Sequence, residues 1–575
     1  MQIKRREIAA TKHDLPPELH PVLTRVYAAR KLMTAAELER GLDRLLSPDL
    51  MKGMEQAAAL LETALREQRS IMIVADFDAD GATSCALAVR ALRLLGAADV
   101  RYIVPNRFDY GYGLTPEIVA VAAEEQPDLI ITVDNGISSL EGVRAAGERG
   151  IAVLVTDHHL PGEALPAAAA IVNPNQPGDG FPSKNLAGVG VIFYVMLALR
   201  ARLREQGWFA QAGIAEPNLA RLLDLVALGT VADLVPLDHN NRVLVAQGLA
   251  RINSGQGCAG IQALAAVSGR QIGRLITTDL GYCLAPRLNA AGRLDDMSLG
   301  IACLLADDPV AAGEIAGQLD ALNRERRAIQ QEMQQQAMAA VDALHLNDAG
   351  LPKGLCLFDA GWHQGVVGLV ASRVKERLHR PVIAFAPGGE GEIKGSARSV
   401  PGLHIRDALD AVAARHPGLL RKFGGHAMAA GLSLKHEHFE AFAAAFDAEV
   451  GRHLSEDDLQ GVIFSDGELA VEEFALEIAE LLRGAGPWGQ GFPEPVFDGR
   501  FEVVERRVVG ERHLKMVLRV PARNRLIDAI AFNQVPDGVA PDWPRIHAAY
   551  KLDVNEYRGS RNLQLIVDHL EPVHD

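Results

Sequence analysis

Ile71-Met72-Ile73-Val74-Ala75-Asp76-Phe77-Asp78-Ala79-Asp80-Gly81 is the stretch from which the fold is read. Its first half is an unbroken apolar run, the pattern of a strand buried on both faces. Its second half sets acids at alternate positions and closes on glycine. Two later runs repeat the arrangement. Leu129–Val133 leads into Asp134-Asn135-Gly136, and Ile151–Val155 leads into Thr156-Asp157-His158-His159. Val100–Val104 is a further apolar run. Helical stretches separate them, so the spacing predicts a parallel sheet with helices on both faces. In such a sheet the acids fall together at the carboxyl edge, where open α/β folds place their ligand crevice.

Crowded carboxylates repel one another, so several at one edge imply cations between them. Asp76-x-Asp78-x-Asp80-Gly81 also matches the opening of a calcium-binding EF-hand loop. That loop needs Glu at its twelfth position, where Leu87 stands, and a helix rather than a strand before it. A solvated acidic turn is the bland reading of the first cluster, and paired structural histidines that of His158 and His159. Both weaken because the clusters all fall at strand ends. Oxygen ligands with an imidazole suit manganese or magnesium better than zinc. Val226–Asp233 is a further element, although its sequence alone does not mark Asp233 as a ligand.

The 575 residues imply three or four domains. We expect an N-terminal cap over 1–45, a catalytic domain over 46–300, a connecting helical segment over 301–345, a second, glycine-rich α/β domain over 346–455, and a small β-barrel over 456–575. Apolar residues at 48% and charged residues at 23% fit a globular chain, and no apolar run is long enough to span a membrane. Met1–Glu7 has no apolar core behind its basic residues, so no secretory leader is expected. The five scattered cysteines suggest neither a zinc ribbon nor disulfides, which points to a reduced, cytoplasmic setting. A net charge of −15 argues against a polyanion partner. Residues 500–525 run the other way, with eight basic residues against three acids. That suits a groove tracking a single strand, although a solvated barrel face is also open.

Asp-x-Asp-Gly, Asp-Asn-Gly, Asp-His-His and Gly229-Thr230-Val231-Ala232-Asp233, in this order, resemble the motifs of the DHH phosphoesterase superfamily. Gly424-Gly425-His426 resembles the signature of its associated DHHA1-type domain. Gly361–Gly368, Ala285–Arg293 and Gly486-Pro487-Trp488-Gly489-Gln490-Gly491 narrow the resemblance to the RecJ single-strand exonuclease family, over roughly residues 45–570.

The resemblance implies two ions, Mn2+ or Mg2+. Asp80, Asp134, His158 and Asp233 would hold one, and Asp78 with the bridging Asp134 the other, joined by Asp76. Val74 stands where many superfamily members carry His. His159 would face the scissile phosphate or support the metal shell, and His426 would donate to a phosphate oxygen. Arg107, Arg287, Ser396, Arg398, Gly424 and Gly425 are the candidates for binding substrate at a 5′-phosphate. The expected activity is 5′–3′ hydrolysis of single-stranded DNA to mononucleotides in repair and recombination, with an OB-fold holding the strand. Single-strand-binding protein and a RecQ-type helicase are the expected partners. Another phosphodiesterase of the superfamily, acting on short oligonucleotides or cyclic dinucleotides, and a non-enzymatic replication scaffold remain as alternatives.

Overall fold

The computed structural model describes residues 1–8, 14–105, 113–345, 351–389, 391–520, 525–535, 538–557 and 559–573. Its first sheet has five strands: β1 (Ile71–Ala75), β2 (Val100–Ile103), β3 (Leu129–Val133), β4 (Ala152–Thr156) and β5 (Ala170–Val172). They lie in the order β2-β1-β3-β4-β5, all parallel. β1 and β3 are buried along their whole length, as their unbroken apolar runs require. The chain leaves β1 toward one edge and returns beside it as β3. Connections that diverge at this switch point open a crevice at the carboxyl ends of β1 and β3.

Helix α1 (Ala79–Leu94) follows β1 and is buried almost all round, which its Ala, Gly, Ser, Thr and Cys side chains permit. Helices α2 (Gly188–Glu205) and α3 (Leu223–Ala232) pack against it. Helix α4 (Ala285–Leu294) follows a single π-helical turn at Leu280–Leu284. Helix α5 (Pro309–His345) runs for 37 residues, as the charged and Gln-rich tract predicts.

A second mixed sheet contains β6 (Leu355–Phe358), β7 (Val382–Gly389), β8 (Glu392–Arg398), β9 (Lys422–Gly425) and β10 (Ala429–Lys435), ordered β9-β10-β8-β7-β6. Only β6 and β7 pair in parallel. Helix α6 (Val367–Leu378) joins those two strands.

The C-terminal strands β11 (Phe497–Val509), β12 (His513–Val520), β13 (Arg525–Ala531), β14 (Arg545–Tyr557) and β15 (Ser560–Pro572) close into a barrel, β11-β12-β13-β15-β14. Strict alternation builds its interior: Leu514, Met516, Leu518 and Val520 of β12 point inward. Closure leaves no free edge strand.

The chain divides into two compact units. One is Asn323–Ile463 with Met1–Lys4, and the other is Arg5–Leu322 with Phe464–Asp575. The barrel therefore belongs to the same unit as the parallel sheet. The N-terminal segment, expected as an irregular cap, contributes a helix at Pro21–Ala29 whose Val22, Leu23 and Val26 enter the barrel's core. Leu237 and Val245 of the parallel-sheet domain enter that core too. The Gly486–Gly491 motif makes the seam. Leu237 N–H donates to the Gln490 carbonyl at 2.7 Å, and Thr277 Oγ1 donates to the Trp488 carbonyl.

Candidate metal centre

The acidic turn after β1 is shaped by its own side chains. Asp78 caps α1, its Oδ1 accepting from the Asp80 and Gly81 amides at 2.9 and 3.0 Å. Asp80 sits in the first turn of α1, fully buried. Its two oxygens accept from Gly188 N (2.6 Å) and Val189 N (3.0 Å), at the amino end of α2, where the helix dipole favours negative charge. Asp76 is buried beside them.

Asp134 follows β3 with φ +62°, left-handed backbone that a non-glycine residue seldom adopts. Asn135 holds this turn, its amide donating to the Val74 and Val133 carbonyls at 3.1 and 2.9 Å. After β4, Asp157 is occupied by its own loop. It accepts from the amides of Ile137, His158 and His159, and its Oδ1 lies 2.7 Å from His159 Nδ1. It orients His159 rather than facing the acids. His158 Nε2 lies 3.1 Å from Asp134 Oδ1 and 3.5 Å from Asp233 Oδ2, the last from the end of α3.

Three sets of side chains thereby bring one ligand atom each within 4.8 Å of one another: Asp76, Asp78 and Asp134; Asp80, His158 and Asp233; Asp134, His158 and His159. Asp134 belongs to the first and the last, so the sets run together. Burial pushes the Asp134 carboxyl well above its ordinary range, and Asp80, Asp78, Asp76 and Asp233 push it further. Burial raises Asp233 likewise, reinforced by Asp80 and Asp78. Asp80 is pushed up to about 7 by burial and by Asp78, against the opposing pull of the α2 amides. Burial disfavours charge on His159, but the Asp157 hydrogen bond and nearby acids overcome it and lift the ring to about 9. Acids that raise one another in a dry crevice are relieved by divalent cations. The donors, carboxylate oxygens with imidazole, fit Mn2+ or Mg2+. Val74 is a fully buried strand residue and supplies no ligand.

The second unit collects most of the residues expected to bind phosphate. Across three adjacent strands, Ser396 of β8 pairs with Gly431 of β10, which pairs with Gly424 of β9. Side chains built at Gly424 or Gly431 would meet nothing, so the strip is open. Gly425 has φ +144° and a Cβ there would overlap the Ala429 carbonyl oxygen, which requires glycine. Arg398 Nη1 donates to Ser396 Oγ at 2.9 Å and to the Ala397 carbonyl at 2.8 Å. Burial pulls its guanidinium below the usual arginine range, and among the described residues no carboxylate counters this. Helix α6 begins beside both, since a Cβ on Gly368 would come within 2.9 Å of Arg398 Nη2 and Ser396 Oγ. His426 is exposed in the adjoining turn.

Arg287 belongs to the other unit. It is buried and paired with Asp320 of α5, with Nη2 at 2.8 Å and Nε at 2.9 Å, and it also donates to the Cys283 carbonyl. The guanidinium thereby ties α4 to α5. Arg107, Tyr110 and Tyr112 lie outside the described residues.

Sequence reasoning missed the glycines that make room for the acids. A Cβ on Gly188 would fall 2.6 Å from the Asp134 Cβ, and one on Gly229 2.8 Å from Asp80 Oδ1. It also missed Asn289, whose Oδ1 accepts from the Ala79 amide at 2.9 Å. Gly229 and Asn289 stand within quoted motifs, but the motifs do not reveal these roles, because each partner lies 50 or more residues away.

Profiles of three domain families match the chain: the DHH family, N-terminal domain, over residues 70–230; the DHHA1 domain over 351–452; and the RecJ OB domain over 465–569. The single-stranded-DNA-specific exonuclease RecJ of Dickeya dadantii is 57% identical over 574 residues, covering 100% of this chain and 99% of that one. The protein of the same name from Escherichia coli is 54% identical over 575 residues, again covering 100% and 99%. The crystal structure of RecJ in complex with Mn2+ from Thermus thermophilus superposes with a TM-score of 0.79 at 32% identity, covering 98% of this chain and 79% of that one. Its Mg2+ complex gives 0.74 at 30% identity, covering 98% and 78%. With whole-length identity to such relatives and all three domain types in order, the chain belongs to the RecJ family of single-stranded-DNA-specific exonucleases.

Proposed function

We propose that the protein is a 5′–3′ exonuclease that removes mononucleotides from single-stranded DNA by two-metal phosphodiester hydrolysis. The observation that carries this is the meeting of the carboxylate and histidine sets through Asp134 at the switch point of the parallel sheet. Asp80, Asp134, His158 and Asp233 would hold one divalent ion, and Asp76, Asp78 and Asp134 the other. Such ions, when bound, activate water and stabilise the leaving oxygen of an in-line displacement. The chain's own part is to fix those ligands and to present His159. Asp157 Oδ1, 2.7 Å from His159 Nδ1, fixes the orientation of that ring, which would face a phosphate oxygen.

Ser396, Arg398 and the glycine strip of Gly424 and Gly425 would take the terminal 5′-phosphate, with His426 beside them. A buried arginine beside a serine hydroxyl suits an arriving phosphate dianion. The barrel would track the strand. Arg507 and Lys515 stand directly opposite on its outer face, a like-charge pair that costs stability unless a polyanion lies across it. Phe532 is exposed and packs edge-on against His513, offering a ring for base stacking. Single-strand-binding protein and a RecQ-type helicase would be partners, acting in the cytoplasm, in keeping with five free cysteines. No helix among the described residues is long and apolar enough to cross a membrane.

The test is manganese-dependent release of mononucleotides from 5′-labelled single strands. We expect the label to leave in the first product, with blunt duplex resisting. Release from the 3′ end first, or equal attack on duplex, would overturn the proposal.

A further inference from the structure

We infer that Asn289 is a positioning residue for the metal-binding turn, the last link of a brace that runs from the long helix α5 to the acids. The inference rests on the metal reading of Asp76, Asp78 and Asp80. The brace begins at Asp320 on α5, which takes two hydrogen bonds from Arg287. Arg287 also satisfies the Cys283 carbonyl, in the π-helical turn that precedes α4. With both ends of its guanidinium engaged, Arg287 sets the rotation and height of α4. Two residues on, Asn289 Oδ1 accepts from Ala79 N at 2.9 Å. Ala79 lies between Asp78 and Asp80, so this bond fixes the peptide joining two of the proposed ligands.

One contact shows how closely α4 is seated. A Cβ on Gly292 would overlap the Phe77 carbonyl oxygen, which places that helix turn flush against the peptide between Asp76 and Asp78. Within the turn Asp78 accepts from Asp80 and Gly81, and Asp80 accepts from Gly188 and Val189 of α2. They cap the helix and hold a carboxylate, but none of them takes the Ala79 amide. The four first amides of a helix lack partners within it, and here a side chain from more than 200 residues away fills one of those vacancies. Fixing a ligand's backbone from a second layer of residues sets how well the ligands match an ion's preferred distances.

The experiment measures Mn2+ binding to the metal-free full-length protein by calorimetry, alongside nuclease kinetics. Wild-type protein must first bind Mn2+; if it does not, the metal reading fails and not the brace. Asn289→Ala should weaken Mn2+ binding by about tenfold and raise the Mn2+ needed for half-maximal activity by the same factor. The KM for single-stranded DNA should stay within about twofold of wild type. Asn289→Asp keeps an acceptor of the same length and should recover most of the affinity. Asn289→Ser, too short to reach Ala79, is the second deletion should the alanine variant not fold, and it should behave as that variant would. Unchanged Mn2+ affinity in a folded deletion variant would overturn the inference. So would a raised KM for DNA with Mn2+ affinity intact, or an aspartate variant as impaired as the deletions.

Discussion

Gly188 lies directly against Asp134: a Cβ on the first would stand 2.6 Å from the Cβ of the second and 2.7 Å from its Oδ1. The same glycine donates its amide to Asp80. One residue at the start of α2 thus makes room for one acid and anchors another. Gly188→Ala should cut turnover by about a hundredfold or more while costing about 1–3 kcal/mol of stability through overpacking. Mononucleotide release with a thermal melt checks both, and near-normal turnover would show that the acids are free to shift.

Asp134→Asn should abolish hydrolysis without lowering the melting temperature of metal-free protein. The amide removes one charge from a crowded, buried set of acids, and asparagine accepts left-handed backbone as readily as aspartate does. Mn2+ should raise the melting temperature of wild type but not of the variant. A variant that still turns over with Mn2+ would refute the shared role of Asp134.

Arg398→Ala should slow degradation of 5′-phosphorylated strands more than of 5′-hydroxyl strands, by about 10- to 100-fold, the worth of about 1.5–3 kcal/mol for a charge-assisted hydrogen bond. Arg287→Ala should instead lower stability and leave the preference between the two ends unaltered, since its guanidinium is engaged with Asp320. Equal losses on both ends for Arg398→Ala would remove it from the pocket.

Asp498 gives a pH-dependent contribution to the unit that holds the barrel. Burial by itself would raise this carboxyl, but hydrogen bonds from Arg5, Ser465 and His547 hold it below the usual range. A depressed carboxyl stabilises the fold above its unfolded pKa of about 3.9 and loses that contribution as pH falls through the folded value. Asp498→Asn should therefore destabilise the protein by about 1–2 kcal/mol at pH 7, with the gap closing below about pH 4. Denaturant melts at both pH values check this, and a gap that persists in acid would mean lost packing rather than lost charge.

Deleting the chain after residue 460 should yield insoluble or unfolded protein, not a nuclease lacking a binding module. The sequence, with all proposed ligands between Asp76 and Asp233, suggests a dispensable barrel. The structure places Leu237, Val245 and the helix Pro21–Ala29 in one core with Phe474, Trp488 and Phe492 and with barrel residues such as Phe497 and Tyr550, all of them beyond residue 460. A soluble truncation with a cooperative melt would contradict that shared core. The barrel is better tested in place: Arg507 and Lys515 changed together to Gln should weaken DNA binding and flatten its salt dependence.

The sequence by itself determined the parallel sheet, the carboxyl-edge placement of Asp76, Asp78, Asp80, Asp134 and His158, and the alternation that forms the barrel. These depend on local periodicity and on acids at strand ends, which a chain displays within a few residues. Only the tertiary structure decided that Arg287 pairs with Asp320 while Arg398 bonds Ser396 and the Ala397 carbonyl, because an arginine's partner is chosen by the fold and not by its neighbours in sequence. The same reason hid Gly188 behind Asp134, Asn289 under Ala79, and Leu237 inside the barrel's core. Close approach, a captured amide and a shared core are relations between distant segments. Their cause is the packing that brings the segments together, and no single stretch of sequence records it.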